Sequence, residues 1–390
     1  MAYFPRILEP HLIHYLKAFP VVGVTGPRQS GKSTLLQQTC TDYTYVTFDD
    51  PKNIEYFETD PKGFMQVYAN HVIFDEVQHV PALFHYIKMA VDQDRENYGK
   101  FILTGSSQLL LLEKISESLA GRIGLLTLLP LQYAEIPAGL STESIYKGAY
   151  PELVVRGYRD NELWYPAYFD TYINKDVRAL SNIGNLRDFR RFISLVAANI
   201  SQTLDLSYYA RDLGVAVPTI KRWVSLLEAS YIIFLLPPYY KNFGKRIIKS
   251  PKIYFYDTGL ATYLTGIKTF DQYDKGPMAG SIFENYIVSE VLKKVLHTKT
   301  DAELFYLRTN NQEEIDLIVD RKSSLDFIEI KKSSSFTPRM LNTLTKFISD
   351  KDQGYLLYNG QSVAYPKSIK IINYRDYLTD DLSKQCIEES

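Results

Sequence analysis

Eight residues, Gly26-Pro27-Arg28-Gln29-Ser30-Gly31-Lys32-Ser33, have the types and spacing to cradle a chain of phosphates. Glycines let backbone N–H groups close around phosphate oxygens, a lysine reaches the outer phosphates, and a serine hydroxyl suits Mg²⁺. With Thr34 they form a candidate site for a nucleoside triphosphate, and ATP with Mg²⁺ is the ligand pair they imply. A second group lies at His71-Val72-Ile73-Phe74-Asp75-Glu76, an apolar strand pattern that delivers two carboxylates. There Asp75 would hold Mg²⁺ through water, and Glu76 would orient or activate the attacking water.

Two further positions belong to this chemistry. Thr104, with Ser106 second, follows the apolar run Lys100–Leu103. A hydroxyl there either senses the γ-phosphate or caps the next helix. Arg122 would stabilise γ-phosphate charge within its own subunit or in a neighbour, or else make a surface ion pair.

The runs Thr25–Thr34, Phe74–Gln78, Leu103–Ser107 and Ser118–Arg122 resemble a prokaryotic group of AAA-type ATPases. In that group a long C-terminal region of uncharacterised function follows the ATPase core. Gly148-Ala149-Tyr150-Pro151-Glu152 and Tyr254-Phe255-Tyr256-Asp257-Thr258-Gly259-Leu260 are similar to motifs of that region.

A third group is near the C-terminus. Glu314–Asp320 alternates as a strand, residues 321–324 turn, and Leu325–Lys331 returns. Alternation puts Glu314, Asp316 and, with a slight shift, Asp320 on one face, and Glu329 with Lys331 on a face of the return strand. An aspartate followed by Glu-x-Lys on the partner strand resembles the PD-(D/E)xK nucleases, although Ile315 stands where their proline precedes the aspartate. The resemblance implies Asp316, Glu329 and Glu284 as metal ligands, Glu284 coming from the preceding helix. Lys331 would position the attacking water. The other reading is a strand face of alternating charge.

Elements must carry these groups. Strand, loop and helix surround the phosphate loop (Val21–Thr25, then a helix from Thr34), and strands alternate with helical patterns from residue 20 to about 135. Around Ser207 a helix ends at Gly214 and a second starts near Pro218, a helix-turn-helix pattern with Lys221 and Arg222 near its exposed start. Strand Tyr231–Leu236 and a hairpin to residue 252 would form a wing bearing Lys241, Lys245, Arg246, Lys249 and Lys252 without an acid. Such a wing contacts DNA phosphates or docks against protein.

The expected fold class is therefore α/β. A P-loop NTPase parallel sheet occupies residues 1–140, a helical and winged-helix region 141–265, and a restriction-endonuclease-like α/β domain 266–390.

With 390 residues, two or three domains are expected. The 44 basic and 45 acidic residues nearly cancel, which excludes a globally basic nucleic-acid binder and leaves a local patch. Two distant cysteines give neither a disulfide framework nor a zinc site. No signal peptide or bilayer-spanning run is evident, so a cytoplasmic chain without a membrane partner is expected. The reading is an ATP-hydrolysing protein acting on DNA, itself a possible homo-oligomer or partner of another protein. The alternative is a nucleotide-dependent switch that docks proteins and cuts nothing.

Overall fold

The computed structural model describes residues 3–105, 118–172, 185–239, 250–365 and 368–379. They gather into two units. One holds residues 1–131 with 229–231 and 296–299; the other holds 132–228, 232–295 and 300–390. The expected helical middle and C-terminal α/β segments both fall in the second unit.

The first unit is built on five parallel strands: β1 (Val21–Thr25), β2 (Thr44–Thr47), β3 (Val72–Asp75), β4 (Phe101–Thr104) and β5 (Ile123–Thr127), in the order β2-β3-β4-β1-β5. Successive side chains point to opposite faces, which divides the core in two. Val21, Phe74, Phe101 and Leu103 pack with Phe64, Leu83, Ile87 and Val91 of the helices on one side. Val22, Val24, Ile73 and Ile102 pack with Leu8, Leu12, Leu35 and Leu36 on the other. Strands covered on both faces read as apolar runs, and β1, β3 and β4 are fully buried. This geometry sends the loop after β1 and the carboxylates after β3 to the same sheet edge, where α/β sheets bind ligands.

The second unit combines helices, a two-stranded ribbon and a mixed sheet. Helices Leu186–Ala198, Leu206–Leu213 and Val217–Ala229 pack through Phe189, Phe192, Tyr209 and Trp223. Asp205 caps the second of these by accepting from the Ser207 and Tyr208 amides (2.9 and 3.0 Å), and Gly214 ends it in the left-handed region (φ 68°). The antiparallel ribbon of β6 (Ile233–Leu236) and β7 (Lys252–Phe255) follows.

The long helix Ala279–His297 precedes the sheet β8 (Glu303–Arg308), β9 (Glu314–Asp320), β10 (Leu325–Lys331), β11 (Gln353–Tyr358) and β12 (Ile369–Asn373). Its order is β12-β11-β10-β9-β8, antiparallel from β8 to β10 and parallel from β10 to β12. The expected α/β architecture is observed, with a parallel sheet first, helices next and a mixed sheet last.

The two motifs at 148–152 and 254–260 meet in this unit. The Asp257 carboxylate accepts from the Ala149 amide (2.7 Å), the Tyr165 hydroxyl (2.8 Å) and the Leu260 amide (3.0 Å). A side chain on Gly259 would strike the Tyr165 oxygen at 2.1 Å, so only glycine fits. These motifs form a structural clasp whose buried charge is fully hydrogen-bonded. No described helix is long and apolar enough to cross a membrane.

Candidate functional site

At the end of β1 the chain turns through backbone that most side chains avoid. Gly26 has φ 144°, and a Cβ there would lie 2.1 Å from the Leu128 carbonyl oxygen; Gly31 caps the next helix at φ 94°. The first residues of helix Lys32–Thr39 are therefore presented with their N–H groups facing the loop, an arrangement that attracts anions. Lys32 Nζ donates to the Gly26 and Pro27 carbonyls, both at 2.9 Å, which holds the ammonium inside the cradle. Ser30 is buried, and its Oγ has no hydrogen-bond partner among the described residues. Arg6 braces the loop from outside the motif, donating to the Ser30 carbonyl (2.8 Å) and the Leu129 carbonyl (2.7 Å).

Asp75, at the end of β3, gathers the remaining groups. Its carboxylate accepts from Ser33 Oγ (3.0 Å), Thr104 Oγ1 (2.8 Å), the Glu76 amide (3.2 Å) and the Tyr45 hydroxyl. Burial and this hydrogen bond to Asp75 push the Tyr45 phenol well above its ordinary value, so it stays a neutral donor. Glu76 adopts the left-handed region (φ 56°), rare outside glycine and frequent at functional sites, and accepts from Gln78 Nε2. Phosphate loop, Ser33, Asp75, Glu76 and Thr104 thus share one edge, as expected from the sequence.

The residues suit a nucleotide and a hard cation. A crowded glycine cradle takes phosphate, and a hydroxyl 3.0 Å from a carboxylate is an oxygen donor set for Mg²⁺.

Arg122 is a correction. It precedes β5, and its carbonyl accepts from the amide of Val21, the first residue of β1. That is the opposite edge of the sheet from the loop, about 13 Å away along four residues of strand. Its guanidinium pairs with Asp92 (2.8 Å), so within its own subunit Arg122 makes an ion pair and does not reach the phosphate loop. Ser106 lies outside the described residues.

In the second unit, Asp316 faces β10 and accepts from the Ile330 amide (2.8 Å), with Lys331 Nζ 3.5 Å away. Lys331 Nζ also meets Glu329 (2.6 Å). Carboxylate oxygens of Glu284, Glu314 and Asp316 lie within 4.8 Å of one another. Asp316, Glu329, Lys331 and Glu284 therefore converge.

Simple alternation fails along β9. Ile315 pairs with Leu307 but Ile318 pairs with Phe305, so Asp316 and Leu317 together oppose Tyr306 in a bulge. Asp320, at the far end of β9, accepts from the Lys322 amide (2.9 Å) and does not join the Glu284, Glu314 and Asp316 group.

The residue that sequence reasoning misplaced is Lys252. Counted with the wing's surface cations, it is 1% exposed, and its ammonium lies among these acids. Nζ pairs with Glu284 Oε1 (2.9 Å) and with Glu314 Oε1, and stands 5.5 Å from the centre of the Tyr306 ring. Tyr254 donates to the same Glu284 oxygen (2.7 Å), and Arg308 approaches Glu314 (3.3 Å). Burial pushes the Glu284 carboxyl up to about 7 against the opposing pull of Lys252, and burial with Asp316 nearby pushes Glu329 up to about 8. A divalent ion does not fit a carboxylate group already occupied by a buried ammonium.

On helix Val217–Ala229, Lys221 and Arg222 are exposed with Val217, Pro218 and Ser225, while Ile220, Trp223, Val224 and Leu227 are buried. Lys241, Lys245, Arg246 and Lys249 lie outside the described residues.

The site just described defines a P-loop nucleotide-binding domain, and comparison with known proteins agrees. Residues 18–137 match the AAA domain family; residues 138–271 match a domain of unknown function (DUF8612) and residues 279–377 another (DUF4143). The AAA match falls on residues that belong almost wholly to the first unit. An uncharacterised protein of Mycobacterium tuberculosis and one of Mycobacterium bovis are each 29% identical over 333 residues, 85% of this chain and 74% of theirs. An uncharacterised protein of Methanocaldococcus jannaschii is 22% identical over 363 residues, 84% of this chain and 78% of its own. Among solved structures, a Walker-type ATPase of Pyrococcus abyssi gives a TM-score of 0.48 at 17% identity, covering 67% of this chain and 96% of that one. A STAND protein of Pyrococcus horikoshii gives 0.29 at 10% identity, covering 74% and 49%.

Proposed function

We propose that the chain is a Mg²⁺-dependent ATPase whose nucleotide state controls DNA contact by its second unit. The observation that carries the ATPase reading is the single carboxylate, Asp75, to which Ser33, Thr104 and Tyr45 all turn neutral hydroxyls. ATP phosphates would lie on the N–H groups of residues 26–34, with Lys32 transferring its ammonium from the Gly26 and Pro27 carbonyls to the outer phosphates. Ser33 and Asp75 would hold Mg²⁺, which supplies charge neutralisation across the phosphates. Glu76, steadied by Gln78, accepts the proton of the attacking water. Thr104 links β4 to Asp75 and would report γ-phosphate loss along that strand.

For DNA, the support is the exposed face of helix Val217–Ala229, where Lys221 and Arg222 stand beside Ser225 and the acidic Glu228 is partly buried. Three helices followed by an antiparallel ribbon suit a winged helix, whose second motif helix enters a major groove. The convergence of Asp316, Glu329, Lys331 and Glu284 on a mixed sheet supports a nuclease-like fold. One observation favours the alternative that nothing is cut: Lys252 amid those carboxylates.

ATP turnover by wild type and Lys32→Ala tests the proposal. Mg²⁺-dependent hydrolysis that falls at least about a hundredfold in the variant is expected, the scale of losing one preorganised charge donor. Equal rates would refute it.

A further inference from the structure

The Asp316 cluster has four carboxylates (Glu284, Glu314, Asp316, Glu329) and three cations (Lys252, Lys331, Arg308) in mutual contact. Lys331 and Arg308 are partly exposed at its rim, whereas Lys252 is buried. We propose that Lys252 is the resident cation of this cluster: its ammonium takes the place of a divalent ion, so the nuclease-like sheet has a metal-free ion-pair core and does not hydrolyse phosphodiesters.

Three observations fix the ammonium there. Its partners surround it, with Glu284 Oε1 at 2.9 Å, Glu314 Oε1, and the Tyr306 ring face 5.5 Å away. A Mg²⁺ or Mn²⁺ ion would need the same carboxylate oxygens at about 2.0–2.2 Å. The lysine is also held by its strand: Lys252 pairs with Leu236 across the ribbon and bridges to Thr203. Finally, β7 is fastened to the helix that carries Glu284. The Asn285 side chain accepts from the Phe255 amide (2.6 Å) and donates to the Phe255 carbonyl (2.9 Å), so Lys252 and Glu284 are positioned by one rigid joint. Withdrawing the ammonium would strand Glu284 and Glu314 without their buried counter-ion.

The chemistry follows from charge. A hydrolytic metal centre needs acids whose charge is left for the metal, and here each acid already faces a cation of the chain itself.

Mn²⁺ titration of the nucleotide-free, full-length protein by calorimetry tests this. Because ATP turnover is not read, the outcome is separate from that of the phosphate-loop proposal. Wild type and Asp316→Asn are expected to titrate alike, while Lys252→Gln gains Mn²⁺ affinity by roughly tenfold or more, the effect of removing one like charge from a metal's surroundings. Sub-millimolar Mn²⁺ binding by wild type that disappears in Asp316→Asn would overturn the proposal, as would a folded Lys252→Gln protein with no gain. If Lys252→Gln does not fold, the wild-type and Asp316→Asn pair decides alone.

Discussion

Asp75 and Asp316 are both buried aspartates on strands, each with hydroxyl, carboxylate and lysine neighbours close in sequence or space, yet their partners differ in kind. Asp75 accepts from Ser33, Thr104, Tyr45 and a backbone amide, all neutral. Asp316 and its companions Glu284, Glu314 and Glu329 face Lys252, Lys331 and Arg308. Neutral donors orient a carboxylate while leaving its charge for a cation that arrives with the substrate. Ammonium groups spend that charge on the fold. We infer that an aspartate is poised for chemistry in one unit and committed to structure in the other.

The comparison can be broken at several points. The largest effect is expected at Glu76→Gln, which keeps the shape of the acid and removes its basicity. ATP hydrolysis should fall by about 10²- to 10⁴-fold with nucleotide affinity retained, measured by single-turnover rates and equilibrium binding. Next is Lys252→Met, which leaves two half-buried acids, Glu284 and Glu314, without the buried cation between them. It should cost about 3–5 kcal/mol of unfolding free energy, whereas Ser33→Ala, which removes one neutral hydrogen bond from Asp75, should cost about 1 kcal/mol. Chemical denaturation of the two variants reads that contrast directly, and equal costs would erase it.

A smaller effect concerns pH. Glu284 and Glu329 bind protons more tightly in the folded chain than at their ordinary value of 4.5, because burial raises them to about 7 and about 8. Their contribution to stability is complete below 4.5 and is lost as pH rises through 7 and 8. Melting temperature should thus decline from pH 5 to pH 8.5, and the double variant Glu284→Gln, Glu329→Gln should flatten that decline. The smallest effect is on DNA. Lys221→Ala and Arg222→Ala should each reduce the slope of log affinity against log salt by about 1, without altering ATP turnover.

Much of the first site was legible because its chemistry is local. Gly26–Ser33 is contiguous, and Asp75 and Thr104 stand at the ends of apolar strands whose parallel pairing brings them to one edge. Arg6 and Tyr45 were missed, since bracing the Ser30 carbonyl or donating to Asp75 depends on contacts 24 and 30 residues apart that no motif marks. That Arg122 stands away from its own subunit's loop was not legible, because distance from the loop in sequence says nothing about which end of β5 it occupies.

In the C-terminal site, the hairpin boundaries Glu314–Asp320 and Leu325–Lys331 were legible from alternation. The bulge at Asp316 and Leu317 was not, because its cause lies in pairing with β8. Lys252 shows the limit most clearly. In sequence it ends a run of basic residues, and only the fastening of β7 to helix Ala279–His297 through Asn285 turns it inward.

Counting Mn²⁺ ions per chain by equilibrium dialysis, with saturating non-hydrolysable ATP analogue, tests the contrast between Asp75 and Asp316 most directly. One ion per chain is predicted, lost in Lys32→Ala and kept in Asp316→Asn. Two ions per chain, one of them lost in Asp316→Asn, would contradict it.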